Sequence, residues 1–197
     1  MHYPELHDQL VQLMEADQYQ LRRVDYTSQA ARQQAAADCT QRAEEVLELL
    51  HQIGQPTIAN VGKDGSQAIS LIALHGRLAA MKTVLTAFEQ AYAKDPTSVY
   101  NEAVPSLTDR ISILEHRYQI YGTNWMVDKT GQYFLIPVKN FATANELRQK
   151  FGLGPIRLPR NLAIGAVEYP LGRGVADASH QKELTDDEYA EYSRYSL

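Results

Sequence analysis

Apolar residues recur at helical spacing through the first 115 residues of the chain, and this pattern predicts five helices. We expect them at about residues 4–23, 28–53, 67–75, 78–93 and 105–116. The third carries apolar residues on every side, and a helix of this kind is typically covered by its neighbours. The pattern therefore predicts a helical bundle organised around a buried central helix.

After residue 117 the pattern changes to the alternation that is typical of strands. Residues 118–127 and 132–138 are expected to pair as a β-hairpin around the turn residues 128–131. The predicted fold class is mainly α with an α+β element. It consists of the helical bundle, one β-hairpin and an irregular C-terminal extension.

Two capping boxes predict further helices near the C-terminus. One begins at Thr143 and Glu146 and stops at Gly152, and the other gives a last helix over about residues 186–195. We divide the chain into a helical domain with the hairpin, residues 1–155, and a C-terminal extension, residues 156–197.

Composition narrows the classes of protein to consider. At 197 residues, with 44% hydrophobic residues, the chain is long enough to bury a core. A net charge of -5 argues against a general nucleic-acid binder. Cys39 is the only cysteine, which excludes an internal disulfide and a cysteine-based zinc site. We predict no cofactor and no bound metal.

The sequence also indicates where in the cell the protein is expected. No stretch approaches the roughly twenty apolar residues that span a bilayer. The first residues lack the basic start and apolar core of a signal peptide, so we expect a cytoplasmic protein that does not contact a membrane.

Charge is uneven toward the C-terminus. Residues 139–173 hold six Lys or Arg against two Glu, and residues 177–197 hold six acidic residues against two basic ones. The acidic segment could fold back on the basic one or dock on a partner, or both could be solvated separately.

Short motifs follow one another along the chain: Gly54-x-Pro56-Thr57, Val61-Gly62-x-x-Gly65-Ser66, Leu107-Thr108-Asp109-Arg110 and Gln119-x-Tyr121-Gly122-Thr123. In this combination the sequence resembles an uncharacterised bacterial family catalogued as a domain of unknown function. Asp17-Gln18 also fits the family pattern, whereas Gly76-Arg77 and Asn124 depart from it. The resemblance implies a mostly helical bacterial domain with no established activity, so it indicates which residues to examine and supplies no mechanism.

The candidate site gathers polar residues around the junction between the fifth helix and the hairpin. Its catalytic candidates are His75 and Asp109, and its binding candidates are Arg110, His116, Gln119, Tyr121, Asp17 and Gln18. A histidine beside a carboxylate is the minimum for general acid–base chemistry, and an arginine can hold a carboxylate or phosphate bidentately. The alternative is structural, with the same residues tying helices together and fixing the hairpin.

Two functions are open at this point. The first is a binding or protein-interaction domain for an unknown small molecule or protein, which could include a second copy of the chain. The second is a small hydrolase or transferase in which His75 is the acid–base and Arg110 and Gln119 position the substrate. A concave pocket holding these residues would favour the enzyme, and the same residues sealed and mutually satisfied would favour a structural role.

Three weaker features have ordinary explanations. A zinc or iron site from His75, Asp109 and His116 lacks a compact spacing, and we do not predict it. The turn at residues 62–66 could present backbone N–H groups to an anion, but an ordinary N-cap by Asp64 or Ser66 explains it without a ligand, and we favour the cap. Cys39 lies on an apolar stripe and is expected in the core.

Overall fold

The structure, a computed structural model, describes residues 1–115, 117–127, 133–136 and 138–156. These residues form six helices and two short strands, which confirms the mainly α class. In chain order they are α1 (Pro4–Leu21), α2 (Gln29–Ile53), α3 (Ile58–His75), α4 (Leu78–Lys94), α5 (Ala103–Leu114), β1 (Trp125–Val127), β2 (Tyr133–Leu135) and α6 (Phe141–Lys150). The chain forms two compact units, residues 1–107 and the residues from Thr108 onward.

In the first unit, α3 packs against α1, α2 and α4, as its apolar sequence predicts. Ile69 and Ile72 of α3 have no exposed surface, and Phe88 of α4 is equally buried. Burying one such side chain contributes about 1.5–3 kcal/mol. The packed helices therefore fix the positions of the buried polar side chains in this unit, such as Asp17 and Ser66.

The α2 helix begins and ends at the residues that its sequence indicates. The Ser28 side chain accepts a hydrogen bond from the N–H of Ala31, and Gly54 ends the helix with a positive φ of 78°. The helix thus ends at Ile53, as predicted.

The α3 helix begins nine residues earlier than we expected. Thr57 caps it by accepting a hydrogen bond from the N–H of Asn60, and Gly62 interrupts it with φ 72° and ψ 171°. The expected turn at residues 62–66 is therefore a one-residue break, because helical geometry resumes immediately after it. A Cβ at Gly62 would lie 3.2 Å from Cδ2 of His7, so glycine also allows α1 to approach closely.

Ser66 has an internal role. Its hydroxyl donates to the carbonyl of Pro56 at 2.8 Å and accepts from the N–H of Tyr100 at 3.0 Å. Because the side chain is fully buried and doubly bonded, it ties α3 to the segments before and after it.

In the second unit, β1 and β2 pair antiparallel, with Trp125 opposite Leu135. Residues 128–132 between them lie outside the described residues, so the hairpin stays a prediction.

The α6 helix begins at a different cap from the one that we predicted. Its N-cap is Asn140, whose side chain accepts from the N–H of Thr143, so the predicted capping box at Thr143 was wrong.

Several predictions fall on residues that the structure leaves undescribed. They concern His116, the turn at 128–131, the last helix at 186–195 and the docking of segment 177–197. The division at 155/156 is likewise untested. Within the described residues, no helix is both long enough and apolar enough to cross a membrane.

Candidate functional site

Asp17 lies on the buried side of α1 and has no exposed surface. Leu10, two turns earlier, is also fully buried, and Met14 lies between them at helical spacing. The sequence therefore contained a signal for burial, a carboxylate in register with an apolar stripe. Only the structure shows the partners of Asp17.

Four side chains contact the Asp17 carboxylate, and with it they form what we call the Asp17 cluster: Asp17, Gln18, Cys39, Arg42 and His75. The Nδ1 of His75 lies 2.7 Å from Oδ2, and the Nε of Arg42 donates to Oδ1 at 3.0 Å. The Sγ of Cys39 lies 3.7 Å from Oδ1, and the amide of Gln18 lies 3.4 Å from Oδ2. Residues from α1, α2 and α3 thus meet at one buried carboxylate.

The charges in this cluster keep Asp17 ionised. Burial by itself raises the pKa of Asp17, but the hydrogen bond to His75 and the charges of His75 and Arg42 outweigh it. The pKa therefore lies below its ordinary value of 3.8. Burial and the nearby Asp17 charge raise the pKa of the Cys39 thiol. Cys39 therefore lies in the core, as its position on the apolar stripe predicted, and its raised pKa disfavours the reactive thiolate.

His75 is the accessible member of the cluster. It is the last residue of α3, and 29% of its side chain is exposed, against 0% for Asp17. An ionised carboxylate only accepts hydrogen bonds, so Nδ1 carries the proton and Nε2 carries the lone pair when the ring is neutral. Within the described part of the chain, Nε2 makes no hydrogen bond.

Gly76 allows His75 to come close to α2. A Cβ at Gly76 would lie 2.5 Å from the Cβ of Ala43, which neighbours Arg42 in the sequence. Only a residue without a side chain permits this approach. Gly76 therefore has a packing role.

Sequence reasoning missed Arg42 and Gln20. Arg42 is largely buried, with 13% of its side chain exposed, and its Nη2 donates to Oε1 of Gln20 at 2.6 Å. Gln20 in turn donates to Asp38. The available signal was the position of Arg42 on α2, between the buried Cys39 and Ala43.

Asp109 forms a different arrangement in the second unit. Its Oδ1 accepts hydrogen bonds from the N–H groups of Ile120 at 2.7 Å and Tyr121 at 2.9 Å. Its Oδ2 accepts from the N–H and the hydroxyl of Thr123, at 2.9 and 2.8 Å. The side chain has no exposed surface. One carboxylate thus holds the loop at residues 119–124, and we call this set of residues with Asp109 the Asp109 cluster.

Gln119 and Tyr121 complete this cluster. The fully buried Gln119 amide donates to the carbonyls of Asn124 and Ile136 and accepts from the N–H of Asn124. The carbonyl of Tyr121 accepts from Arg148, and its ring meets that of Phe151 edge-on at 5.5 Å. The Gln119 amide is therefore bonded to the backbone around its own loop, which fits the structural alternative better than a role in positioning a substrate.

Burial raises the pKa of Asp109, and the hydrogen bonds from Tyr121, Thr123 and Ile120 act in the opposite direction. Six of the eight predicted site residues therefore belong to one or the other cluster, and His116 lies outside the described residues. Asp17, Gln18 and His75 lie together in the first unit, while Asp109, Gln119 and Tyr121 lie together in the second. The carboxylate that contacts His75 is that of Asp17.

A model of one protein family matches residues 4–166 of the chain. The chain belongs to this family, DUF6624, a family of unknown function. No curated protein and no solved structure matches the chain. The matched residues include both clusters of this DUF6624 protein, and membership assigns a role to neither.

Two other features of this DUF6624 protein bear on ligands. Within the described residues, no group of three His, Cys, Asp or Glu side chains is arranged to hold a metal ion. An open cleft of about 410 Å³ lies between α1 and α2. It is lined by Gln9, Gln12, Leu13, Glu45, Glu48, Leu49 and Gln52. None of the predicted site residues lines this cleft, so it is not the concave pocket that would favour an enzyme, and any case for one rests on the side-chain contacts of the Asp17 cluster.

Proposed function

We propose that the protein is a small hydrolase or transferase in which His75 is the general acid–base. The observation that carries this proposal is the 2.7 Å contact between the fully buried carboxylate of Asp17 and the partly exposed ring of His75. A carboxylate on Nδ1 fixes the tautomer and orientation of an imidazole and leaves Nε2 to exchange a proton with a substrate.

The charge on Asp17 supports this role. In the proposed step, Nε2 takes the proton of a water or hydroxyl nucleophile as that oxygen bonds to the substrate. The imidazolium then returns the proton to the leaving group. Asp17 stabilises the imidazolium, and Arg42 keeps Asp17 ionised, so the proton stays on His75. Asp17 and Arg42 are thus positioning residues.

The energetic cost of burying Asp17 and Arg42 also supports a functional role for the cluster. Buried charges lose their hydration, and apolar side chains of the same volume often stabilise a protein as well or better. Asp17 and Arg42 are therefore poor choices for stability alone. A buried carboxylate whose pKa is lowered by charged partners, beside an accessible imidazole, is the kind of arrangement that functional sites use.

The test is a screen of small-molecule ligands by thermal shift, followed by turnover assays on the hits with ester, phosphoester and amide substrates. We compare the wild type with His75→Gln and with the matched control His51→Gln, which changes an exposed histidine of α2. Turnover that is lost in His75→Gln and kept in His51→Gln supports the proposal. Turnover that is equal in all three folded proteins, or absent from every assay, rejects it.

A second candidate is the interaction domain, and the Asp109 cluster favours it. Four hydrogen bonds to Asp109 hold the loop at 119–124, and Ile120 in that loop is 37% exposed. A pre-ordered loop that presents an apolar side chain loses little entropy when it binds a partner. Replacing Ile120 with Lys should then weaken self-association or partner capture, measured by sedimentation, without lowering stability.

A further inference from the structure

Arg110 of α5 is a cation for which the described chain supplies no counter-ion. The residue is half-buried, and burial lowers the pKa of its guanidinium. No hydrogen bond or ion pair joins it to another residue in the described ranges. An arginine does not deprotonate in proteins, so the charge persists in this surrounding.

The acids nearest in sequence are engaged elsewhere. Asp109 adjoins Arg110, but each of its carboxylate oxygens already accepts two hydrogen bonds from the loop at 119–124. Glu115 pairs with Arg117. One turn after Arg110 the helix offers Ile113, which is 3% exposed, and Leu114. The local surroundings are thus apolar on that side.

A charge that loses its hydration without gaining a partner is costly, and folded proteins pair such charges. The guanidinium is planar and presents N–H groups in a fixed fork that matches carboxylate and phosphate oxygens. We propose that Arg110 is the anchor of a binding site for an oxyanion, a carboxylate or phosphate group held bidentately. This inference does not depend on the chemistry proposed for His75.

The oxyanion can come from two sources. One is a free small molecule that bears a carboxylate or phosphate. The other is the chain itself, because residues 177–197 contain six carboxylates: Asp177, Glu183, Asp186, Asp187, Glu188 and Glu191. Both sources use the same chemistry at Arg110, and the experiment separates them.

The experiment titrates inorganic phosphate and acetate into the full chain by calorimetry, with sodium chloride added to keep the ionic strength constant. The variants are Arg110→Gln, Arg110→Lys and the control Arg117→Gln, since the Arg117 side chain is 59% exposed in the same unit. A further full-length variant carries amides in place of the six acids of residues 177–197.

If the anion is free, the wild type binds phosphate or acetate saturably. Arg110→Gln then weakens the binding at least about tenfold, Arg110→Lys weakens it less, and Arg117→Gln changes it by no more than about twofold. If the chain supplies the carboxylate, the amide variant binds the anions more tightly than the wild type, and adding Arg110→Gln removes this gain. Binding that is unaffected by either Arg110 substitution overturns the proposal, and so does an absence of binding by both the wild type and the amide variant.

Discussion

Asp17 and Asp109 are both fully buried, yet the groups that bind them differ in kind. Asp17 is bound by the cation Arg42 and by His75, and these partners hold its pKa below the ordinary value. Asp109 accepts four hydrogen bonds from neutral N–H and O–H groups, and burial raises its pKa. The two aspartates thus have different roles. The charged partners of Asp17 keep it ionised, whereas Asp109 holds the neutral donors of its loop in place.

The partners also differ in their distance along the chain. Arg42 and His75 are 25 and 58 residues from Asp17, whereas the donors to Asp109 lie within 14 residues of it. The Asp109 cluster orders a local segment and leaves no polar atom of the carboxylate for a ligand. The Asp17 cluster joins three helices and leaves one ring partly exposed. The Asp109 cluster is thus a local scaffold, and the exposed ring in the Asp17 cluster is the feature on which the proposed function rests.

The largest expected effect tests the scaffold. Replacing Asp109 with Ala leaves four donors of the loop at 119–124 without an acceptor, and it should cost about 3–5 kcal/mol of unfolding free energy. Urea denaturation measures this loss. The matched control is Asp95→Ala, which removes an acceptor from an exposed turn at Thr97 and should cost much less. Equal losses would mean that the Asp109 cluster does not anchor its loop.

The next effect tests the charged cluster. Asp17→Asn leaves Arg42 without its carboxylate, and breaking a buried ion pair in this way costs about 3 kcal/mol. Because the folded-state pKa of Asp17 is lowered, its stabilising contribution is fully present above the ordinary value of 3.8 and is lost as the pH falls through the folded-state pKa.

The unfolding free energy of the wild type should therefore fall more steeply than that of Asp17→Asn between about pH 5 and pH 3. Replacing the exposed Asp64 with Asn is the control and should leave the wild-type profile unchanged. Identical profiles for the wild type and Asp17→Asn would contradict the charged pairing.

A third substitution tests how tightly the loop of the Asp109 cluster is packed. Gly122 has φ 66°, and a Cβ there would lie 2.6 Å from Cδ1 of Ile156. Gly122→Ala should cost about 2–3 kcal/mol, from the strained backbone and the overpacking together. Gly152 also has φ 66°, but nothing lies within 4 Å of its added Cβ, so Gly152→Ala measures the backbone cost alone, about 1 kcal/mol. Thermal unfolding of the two variants gives the packing contribution as a difference.

The smallest expected loss of stability is that of His75→Gln, and it tests whether His75 is needed for folding. His75→Gln should lower the unfolding free energy by only about 1 kcal/mol, because Arg42 still neutralises Asp17. Denaturation of His75→Gln beside His51→Gln checks this value. A loss as large as that of Asp17→Asn would assign His75 to the scaffold and remove the contrast between the two regions.

Helix positions could be predicted from the sequence because they depend on local periodicity and caps. Ser28, Gly54 and the apolar stripe of α2 needed no tertiary information. The errors arose where two local signals competed. We expected a turn at residues 62–66 before a helix from residue 67, whereas Gly62 is a one-residue break inside α3. Asn140 caps α6 ahead of the predicted box at Thr143.

The sequence by itself determined the mainly α class and family membership, and it identified Asp17, His75, Asp109 and Gln119 as residues to examine. Only the tertiary structure decided their partners. A hydrogen bond to His75 depends on where three helices bring their side chains, and periodicity within one helix carries no information about the next. The pairing of Asp17 with His75 and Arg42 is for this reason a property of the packed helices, and the proposed function depends on it.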